Sequence, residues 1–331
     1  MGSIPTRPIE REWGLVYATI SGMALRIVFM GSPDFALPSL KSLTERYPVV
    51  GVVTQPDRPA GRGRQMRSPA VKALADELGL PVIQPQRLSE PAAMAQMKEW
   101  QPDLIVVAAF GQILRREVLE LPRHGCLNVH ASLLPRWRGA APIQAAILHG
   151  DDETGVTIML MDAGLDTGPV LAKRALAIQP RETAGELSQR LSQLGAELLL
   201  ESLPRYLSGD MRPIPQSELP GEPSYAPLIH KEHGLLDFTN AAEQLARQVR
   251  AFNPWPGAYF VWQGQRLAVL QAHSMAGIDA LPGETTQLNG LPAVGTGKGL
   301  LVLDELQPAG KKAIPGKAFL HGIRGWIEGD G

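Results

Sequence analysis

The chain has 331 residues, is 44% hydrophobic and 20% charged, and carries a net charge of −1. This composition fits a soluble globular protein with room for two domains, and it excludes an overall nucleic-acid charge signature, so any basic surface must be local. A single cysteine excludes an internal disulfide framework and a cysteine-rich metal site, and suits a reducing, cytoplasmic compartment.

No apolar run approaches the roughly 18 residues that a membrane span needs. Residues 1–22 lack the continuous apolar stretch of a secretory signal and have no clear place in a fold. They read as an extension, with Met23 the more natural start. The first convincing element is an apolar strand over residues 25–31. It breaks at Ser32-Pro33-Asp34-Phe35, and a helix follows to about Arg46. A strand, a turn and a helix in that order open a doubly wound α/β domain. The turn is not G-x-G-x-x-G, which disfavours a nicotinamide oxidoreductase.

A second strand covers residues 49–54. Residues 55–69 then read as a long loop rich in Gly, Pro and Arg. Arg58, Arg62, Arg64, Arg67 and Lys72 stand against the single acid Asp57. A loop of this length in a compact domain is usually functional or disordered, and the charge suits a flexible arm that grips phosphates. A helix (70–78), a short strand (81–83) and a helix (91–100) lead to a β-branched strand over residues 103–108. That strand ends in Ala109-Phe110-Gly111-Gln112-Ile113-Leu114, where open α/β sheets bind ligands.

The chemistry concentrates in residues 126–169. A short strand, Cys126-Leu127-Asn128-Val129-His130, places Asn128 and His130 on one face, because side chains alternate along a strand. Ser132-Leu133-Leu134-Pro135 and a basic turn, Arg136-Trp137-Arg138-Gly139, come next. A helix starts near Pro142, and a strand over 155–161 delivers the loop Asp162-Ala163-Gly164-Leu165-Asp166-Thr167-Gly168. Histidine can change charge near neutrality, a carboxylate can orient it, and an asparagine amide can donate to a developing oxyanion. With no nearby Cys or Ser nucleophile, this set suggests acyl-type chemistry without a covalent enzyme intermediate. Asp166 reads as the deeper carboxylate, and Asp162 could cap the turn.

Residues 170–178 read as a strand and 183–207 as a long helix. Five prolines make 211–227 a linker between a domain at 23–210 and another at 228–331. Beyond a helix near 241–252, short strands at 258–261, 266–271, 293–295 and 300–306 suggest a small β-barrel-like domain. Gly295-Thr296-Gly297-Lys298-Gly299 lacks a following helix and reads as a hairpin turn, not a phosphate loop. His149, His230, His233 and His321 have no zinc spacing.

The run Asn128-Val129-His130-Ala131-Ser132-Leu133-Leu134-Pro135-Arg136-Trp137-Arg138-Gly139 resembles the signature of the 10-formyltetrahydrofolate-dependent formyltransferase family, and residues 162–168 resemble its active-site loop. Residues 55–64, 250–256 and 306–313 resemble the members of that family that formylate initiator methionyl-tRNA for translation initiation. The resemblance implies a Rossmann-like formyltransferase domain followed by a small OB-like β-barrel that binds tRNA. It implies a catalytic group of Asn128, His130 and Asp166, with no metal. It places 10-formyltetrahydrofolate against Phe110, Gly111, Ile113, Ser132, Leu133, Leu134 and Pro135. It assigns tRNA contacts to Arg58, Arg62, Arg64 and Arg67, with Lys311 and Lys312 from the second domain, and it implies a monomer. Nine Lys and Arg from residue 228 onward are matched by nine Asp and Glu, so that domain's share in tRNA binding rests on the resemblance and not on charge. Sibling enzymes that formylate a nucleotide-linked amino sugar share the first-domain motif, and the arginine loop and Lys311-Lys312 argue against them. A non-catalytic RNA-binding protein is disfavoured by the intact Asn128, His130 and Asp166.

Overall fold

The computed structural model describes residues 19–20, 23–60, 65–278 and 280–327. Most of the N-terminal extension, and both Arg62 and Arg64, lie outside the described residues.

The first domain is organised by seven strands: β1 (Ile27–Gly31), β2 (Val49–Val53), β3 (Val82–Ile83), β4 (Leu104–Ala108), β5 (Cys126–His130), β6 (Glu153–Leu160) and β7 (Val170–Ala177). They lie in the order β7-β6-β5-β4-β1-β2-β3. Neighbours from β3 to β5 are parallel, and β6 runs antiparallel to both β5 and β7. The chain winds outward from β1 to β3 and then crosses to β4. The reversal leaves a crevice at the carboxyl ends of β1 and β4, where this architecture binds ligands.

The two-residue period of the strands explains their composition. Ile27, Phe29, Leu104, Val106, Leu127 and Val129 enter one core layer. Val28, Met30, Ile105, Val107 and Cys126 enter the other. Both faces are covered, so β1 and β4 are apolar at every position. The first layer receives α1 (Leu37–Thr44), α2 (Ala70–Glu77) and the later helices α5 (Pro142–His149) and α6 (Ala184–Leu207); α3 (Pro91–Trp100) and α4 (Arg116–Leu119) cover the second. Thr183 caps α6 by accepting from the Glu186 N–H, and the Glu186 carboxylate accepts the Thr183 N–H at 2.9 Å. The Thr183 N–H, and then its hydroxyl, hold the Glu186 carboxyl below its ordinary value.

Gly51 marks a close approach in the second layer. A Cβ there would overlap the Trp100 ring, which lies flat on β2. Gly51→Ala is expected to lower stability by about 1–3 kcal/mol through overpacking. Urea unfolding checks this; an unchanged midpoint would contradict it.

The described part of residues 55–69 differs from the expected unstructured loop. Arg58–Ala60 and Gln65–Arg67 form the arms of an antiparallel hairpin, with Arg58 opposite Arg67. Its base is pinned where Asp57 accepts hydrogen bonds from Gln84 at 2.7 Å and Lys72 at 2.8 Å. The Gln84 bond, then Lys72, holds the Asp57 carboxyl below its ordinary value.

The second domain is an antiparallel sheet with the order β8-β9-β12-β11-β10: β8 (Ala258–Trp262), β9 (Gln265–Met275), β10 (Thr285–Leu288), β11 (Leu291–Gly295) and β12 (Leu300–Pro308). Irregular pairing in β9 around residues 269–272 bends the sheet over its own core. Residues 295–299 make the turn between β11 and β12, closed by Thr296 N–H to Gly299 carbonyl at 3.1 Å. Strand β10 and helix α8 (Gly316–His321) were not visible in the sequence. Thr285-Thr286-Gln287 is too polar to announce a strand; it sits at the sheet edge.

Helix α7 (Ala242–Ala251) joins the two cores. Leu245 and Val249 enter the second, while Ala251 and Phe252 enter the first. Gly185 N–H donates to the Asn253 carbonyl at 3.0 Å, and Arg250 donates to the Glu182 carbonyl at 3.2 Å. Burial lowers the Arg250 value. Among the described residues no helix is long and apolar enough to cross a membrane.

Candidate active site

Strand β5 brings the asparagine and histidine to the carboxyl edge of the sheet. It pairs with β4 through Asn128 opposite Val107, and with β6 through His130 opposite Thr157. Leu127 and Val129 point into the layer covered by α1, α2, α5 and α6, which turns Cys126, Asn128 and His130 the other way. His130 is only 5% exposed, and Asn128 is half-buried. Among the described residues the Asn128 amide has no hydrogen-bond partner, which leaves its N–H groups available. Cys126 shares the face but is buried, and burial pushes its thiol up to about 12. A thiol of that kind is not a nucleophile near neutrality.

The turn after β5 is held by side-chain hydrogen bonds to its backbone. Ser132 Oγ donates to the Arg136 carbonyl at 2.6 Å, and Thr157 Oγ1 donates to the Ser132 carbonyl at 2.6 Å. Leu134 N–H donates to Thr157 at 3.1 Å, and Lys173 Nζ donates to the Leu134 carbonyl at 3.0 Å. Trp137 then takes a left-handed φ of 61°, a conformation that costs of order 1–3 kcal/mol in a non-glycine residue. Three contacts hold it there. Its N–H donates to Ser224 Oγ at 2.9 Å, its indole Nε1 donates to Asp151 at 2.7 Å, and its carbonyl faces His130 Nε2 at 3.0 Å. Asp151 also accepts from Arg136, whose guanidinium lies 4.5 Å from the Trp137 ring centre.

The Trp137 contact settles the histidine tautomer. A carbonyl oxygen only accepts, so in the neutral ring Nε2 carries the proton and Nδ1 is the nitrogen left free. Nδ1 lies 3.7 Å from Asp166 Oδ2. That is too long for a hydrogen bond but within ion-pair reach when the ring is protonated. Asp166 Oδ2 instead accepts the Gly139 N–H at 2.8 Å.

The two carboxylates of the acidic loop have separate positions. Asp162 caps its own turn, accepting from Gly164 N–H at 3.0 Å and Thr167 Oγ1 at 2.7 Å. Asp166 sits deeper, with a φ of 50°, and faces His130. Gly168 lets the loop fold back, because a Cβ there would overlap the Leu160 carbonyl.

The remaining sequence candidates fall into three groups. Phe110 is buried at the end of β4, Gly111 takes a φ of 79°, and Ile113 is 87% exposed beside them. Gln55 and Ser32 both donate to the Phe110 carbonyl, so the loops after β1, β2 and β4 converge there. Leu133 is half-buried beside the turn, and Ser132, Leu134 and Pro135 are buried. Leu134 packs under the turn with Met159 and Val170 and thus shapes the wall from beneath. Arg58 and Arg67 are exposed on the hairpin of the first domain, and Lys311 and Lys312 on a turn of the second.

The sequence did not reveal Asp151, Ser224 or Gln216. Ser224 and Gln216 meet the site from far along the chain and Asp151 from beyond helix α5, and no local motif points to any of them. A cavity of about 670 Å³ between the domains contains none of Asn128, His130 or Asp166, and its Arg181, Arg247, Glu186, Glu243 and Asp304 mix both signs of charge. Among the described residues no group of three His, Cys, Asp or Glu side chains is placed to hold a metal ion.

Residues 25–203 match the model of the formyl transferase family, and residues 228–324 match that of the formyl transferase C-terminal domain. A methionyl-tRNA formyltransferase of Myxococcus xanthus is 51% identical over 300 residues, covering 90% of this chain and 95% of its own. One from Geobacter sulfurreducens is 48% identical, covering 91% and 94%. Among solved structures, the sugar 3N-formyl transferase WlaRD superposes with a TM-score of 0.63 at 17% identity, over 88% of this chain and 100% of its own. HypX from Aquifex aeolicus gives 0.61 at 21% identity, over 91% of this chain and 47% of its own. The two structures share the fold; the sequence relatives place the chain, over nearly its whole length, in the formyltransferase family and, within it, among the methionyl-tRNA formyltransferases.

Proposed function

We propose that the protein transfers the formyl group of 10-formyltetrahydrofolate to the α-amine of methionine on initiator methionyl-tRNA. The observation that carries this reading is the pairing of about 50% identity across both domains with an Asn128, His130 and Asp166 set at the carboxyl edge of the sheet. The folate supplies an activated formyl group. Its flat pterin ring is assigned to the surface beside Phe110, Gly111 and exposed Ile113, facing the turn at 132–135.

The roles follow from the donors present. The methionyl amine attacks the formyl carbon, and negative charge grows on the formyl oxygen. Asn128, whose amide N–H groups have no partner among the described residues, donates to that oxygen. His130 keeps Nε2–H on the Trp137 carbonyl and works through Nδ1. Nδ1 takes the proton that the amine loses, and the resulting imidazolium is stabilised by the Asp166 carboxylate 3.7 Å away. His130 then returns the proton to the leaving nitrogen of the folate, which closes the proton balance.

The strand pair carrying Arg58 and Arg67, together with Arg62 and Arg64 of the intervening sequence, grips the acceptor end of the tRNA. Lys311 and Lys312 add a contact from the second domain. Arg62→Ala is expected to raise KM for methionyl-tRNA and to flatten its salt dependence by about one phosphate contact, leaving folate affinity unchanged. An unchanged salt slope would argue against phosphate contact. The enzyme acts as a cytoplasmic monomer; sedimentation at micromolar concentration checks the second point.

The test is direct. The protein is incubated with 10-formyltetrahydrofolate and methionyl-tRNA, the ester is hydrolysed, and formylmethionine is measured. Accumulation in step with enzyme concentration supports the assignment; its absence overturns it.

A further inference from the structure

The proline-rich tract at 211–227 sends one side chain into the catalytic machinery. Gln216 lies in a short helical turn, Gln216–Glu218, and is only 6% exposed. Its Nε2 donates to two backbone carbonyls, those of Asp166 and Gly168, each at 2.8 Å. Its Oε1 accepts two N–H groups of Arg138, at 2.7 Å and 3.0 Å. One buried amide therefore uses both of its donor hydrogens and both of its acceptor sites. It ties the acidic loop to the basic turn that follows His130.

The partners matter because of what they hold. Asp166 has a left-handed φ of 50°, and its carboxylate is aimed between Gly139 N–H and His130 Nδ1. A backbone in that region persists only when its surroundings fix it. The Asp166 and Gly168 carbonyls are the two points at which Gln216 fixes it. The tract has its own anchor beside this clamp. Ile214 and Val170 exchange two backbone hydrogen bonds, each 2.8 Å, and Leu219 packs on Leu134, Met159 and Val170. The docking of the tract thus does not depend on the Gln216 amide.

We infer that Gln216 is a positioning residue for formyl transfer, setting the Asp166 carboxylate against His130 from outside the family's signature motif. The inference rests on the catalytic role proposed for Asp166. It assigns the segment between the two domains a share in turnover. A change in this tract alters the geometry of the Asp166–His130 pair while leaving the residues that face the two substrates in place.

The test compares Gln216→Met and Gln216→Glu with the parent enzyme and with Asp166→Asn. Methionine keeps the volume and removes all four bonds. Glutamate keeps the Arg138 partner but sets a carboxylate against two carbonyls, and only its protonated form can donate to one of them. Active protein is first quantified by folate binding, so that misfolded material does not enter kcat. Gln216→Met is expected to lose about 10- to 100-fold in kcat, the cost of an ångström-scale misplacement, with KM for both substrates within about twofold. The activity of Gln216→Glu relative to the parent is expected to rise as pH falls, a signature that lost packing alone does not produce. If Asp166→Asn is inactive while both Gln216 variants turn over normally, the inference is overturned and the role of Asp166 stands. If Asp166→Asn turns over normally, the reading beneath fails and the inference fails with it. A loss of kcat that does not depend on pH in Gln216→Glu would assign Gln216 to packing and overturn positioning.

Discussion

His130→Ala is expected to lower the single-turnover rate of formyl transfer by about 10²- to 10⁴-fold, the usual worth of a placed acid–base group. The side chain is 5% exposed and sits between two fixed partners, the Trp137 carbonyl at 3.0 Å and Asp166 at 3.7 Å. Removing the imidazole removes the only nitrogen in the set that can both take and return a proton. It also frees the Trp137 carbonyl, which sits in a strained backbone, so a modest loss of stability accompanies the kinetic effect. The rate is measured with enzyme in excess over methionyl-tRNA, after folate binding has been shown intact. A rate within a few fold of the parent would remove His130 from the chemistry.

Asn128→Ala is expected to cost about 10²- to 10³-fold in kcat, the loss seen when one oxyanion donor is removed. Here stability should hardly change. The Asn128 backbone is paired in β5 on both sides, and among the described residues its amide bonds to no other side chain. The variant therefore separates catalysis from folding more cleanly than His130→Ala does. An unchanged kcat with a raised folate KM would reassign Asn128 to binding the donor.

Much of this site was legible because it is local. Asn128 and His130 share one strand, and a two-residue period puts them on one face without any knowledge of the fold. The acidic loop was legible as a loop, and the choice between its carboxylates turned on depth: Asp162 bonds within its own turn, while Asp166 reaches the Gly139 N–H. What could not be read was the set of distant residues that hold these groups. Asp151 reaches Trp137 across helix α5, Ser224 reaches it across 87 residues, and Gln216 reaches the Asp166 carbonyl across 50. None lies in a motif, because each acts through a neighbour that the fold supplies. The prolines of 211–227 read as a linker, yet the tract holds a helical turn at Gln216–Glu218 and pairs Tyr225–Ala226 with Arg138–Gly139, because composition says nothing of the surface on which such a segment lies.

The fold shows the same division. Strands β1 and β4 were evident because both faces are buried and every position is apolar. The paired strands at 58–60 and 65–67 read as a loop in the sequence because each is only three residues long and carries an arginine. Their pairing is fixed by a base at Asp57, Lys72 and Gln84, and Gln84 comes from well beyond the loop. Strand β10 is hidden from the sequence for a related reason: a half-buried edge strand gains from pairing with β11 and contributes only Leu288 to an apolar cluster.

The central claim is that one-carbon chemistry on a widely shared fold is directed here to a charged tRNA. The most direct measurement is a competition in one vessel, with 10-formyltetrahydrofolate limiting and methionyl-tRNA and a nucleotide-linked amino sugar both present in excess. The account predicts that labelled formyl appears on methionine alone, and that uncharged tRNA in place of methionyl-tRNA yields no formylated product. Label on the sugar in preference to methionine would contradict it: the Asn128, His130 and Asp166 chemistry would survive, but the acceptor, and the task given to the arginine hairpin, would be wrong.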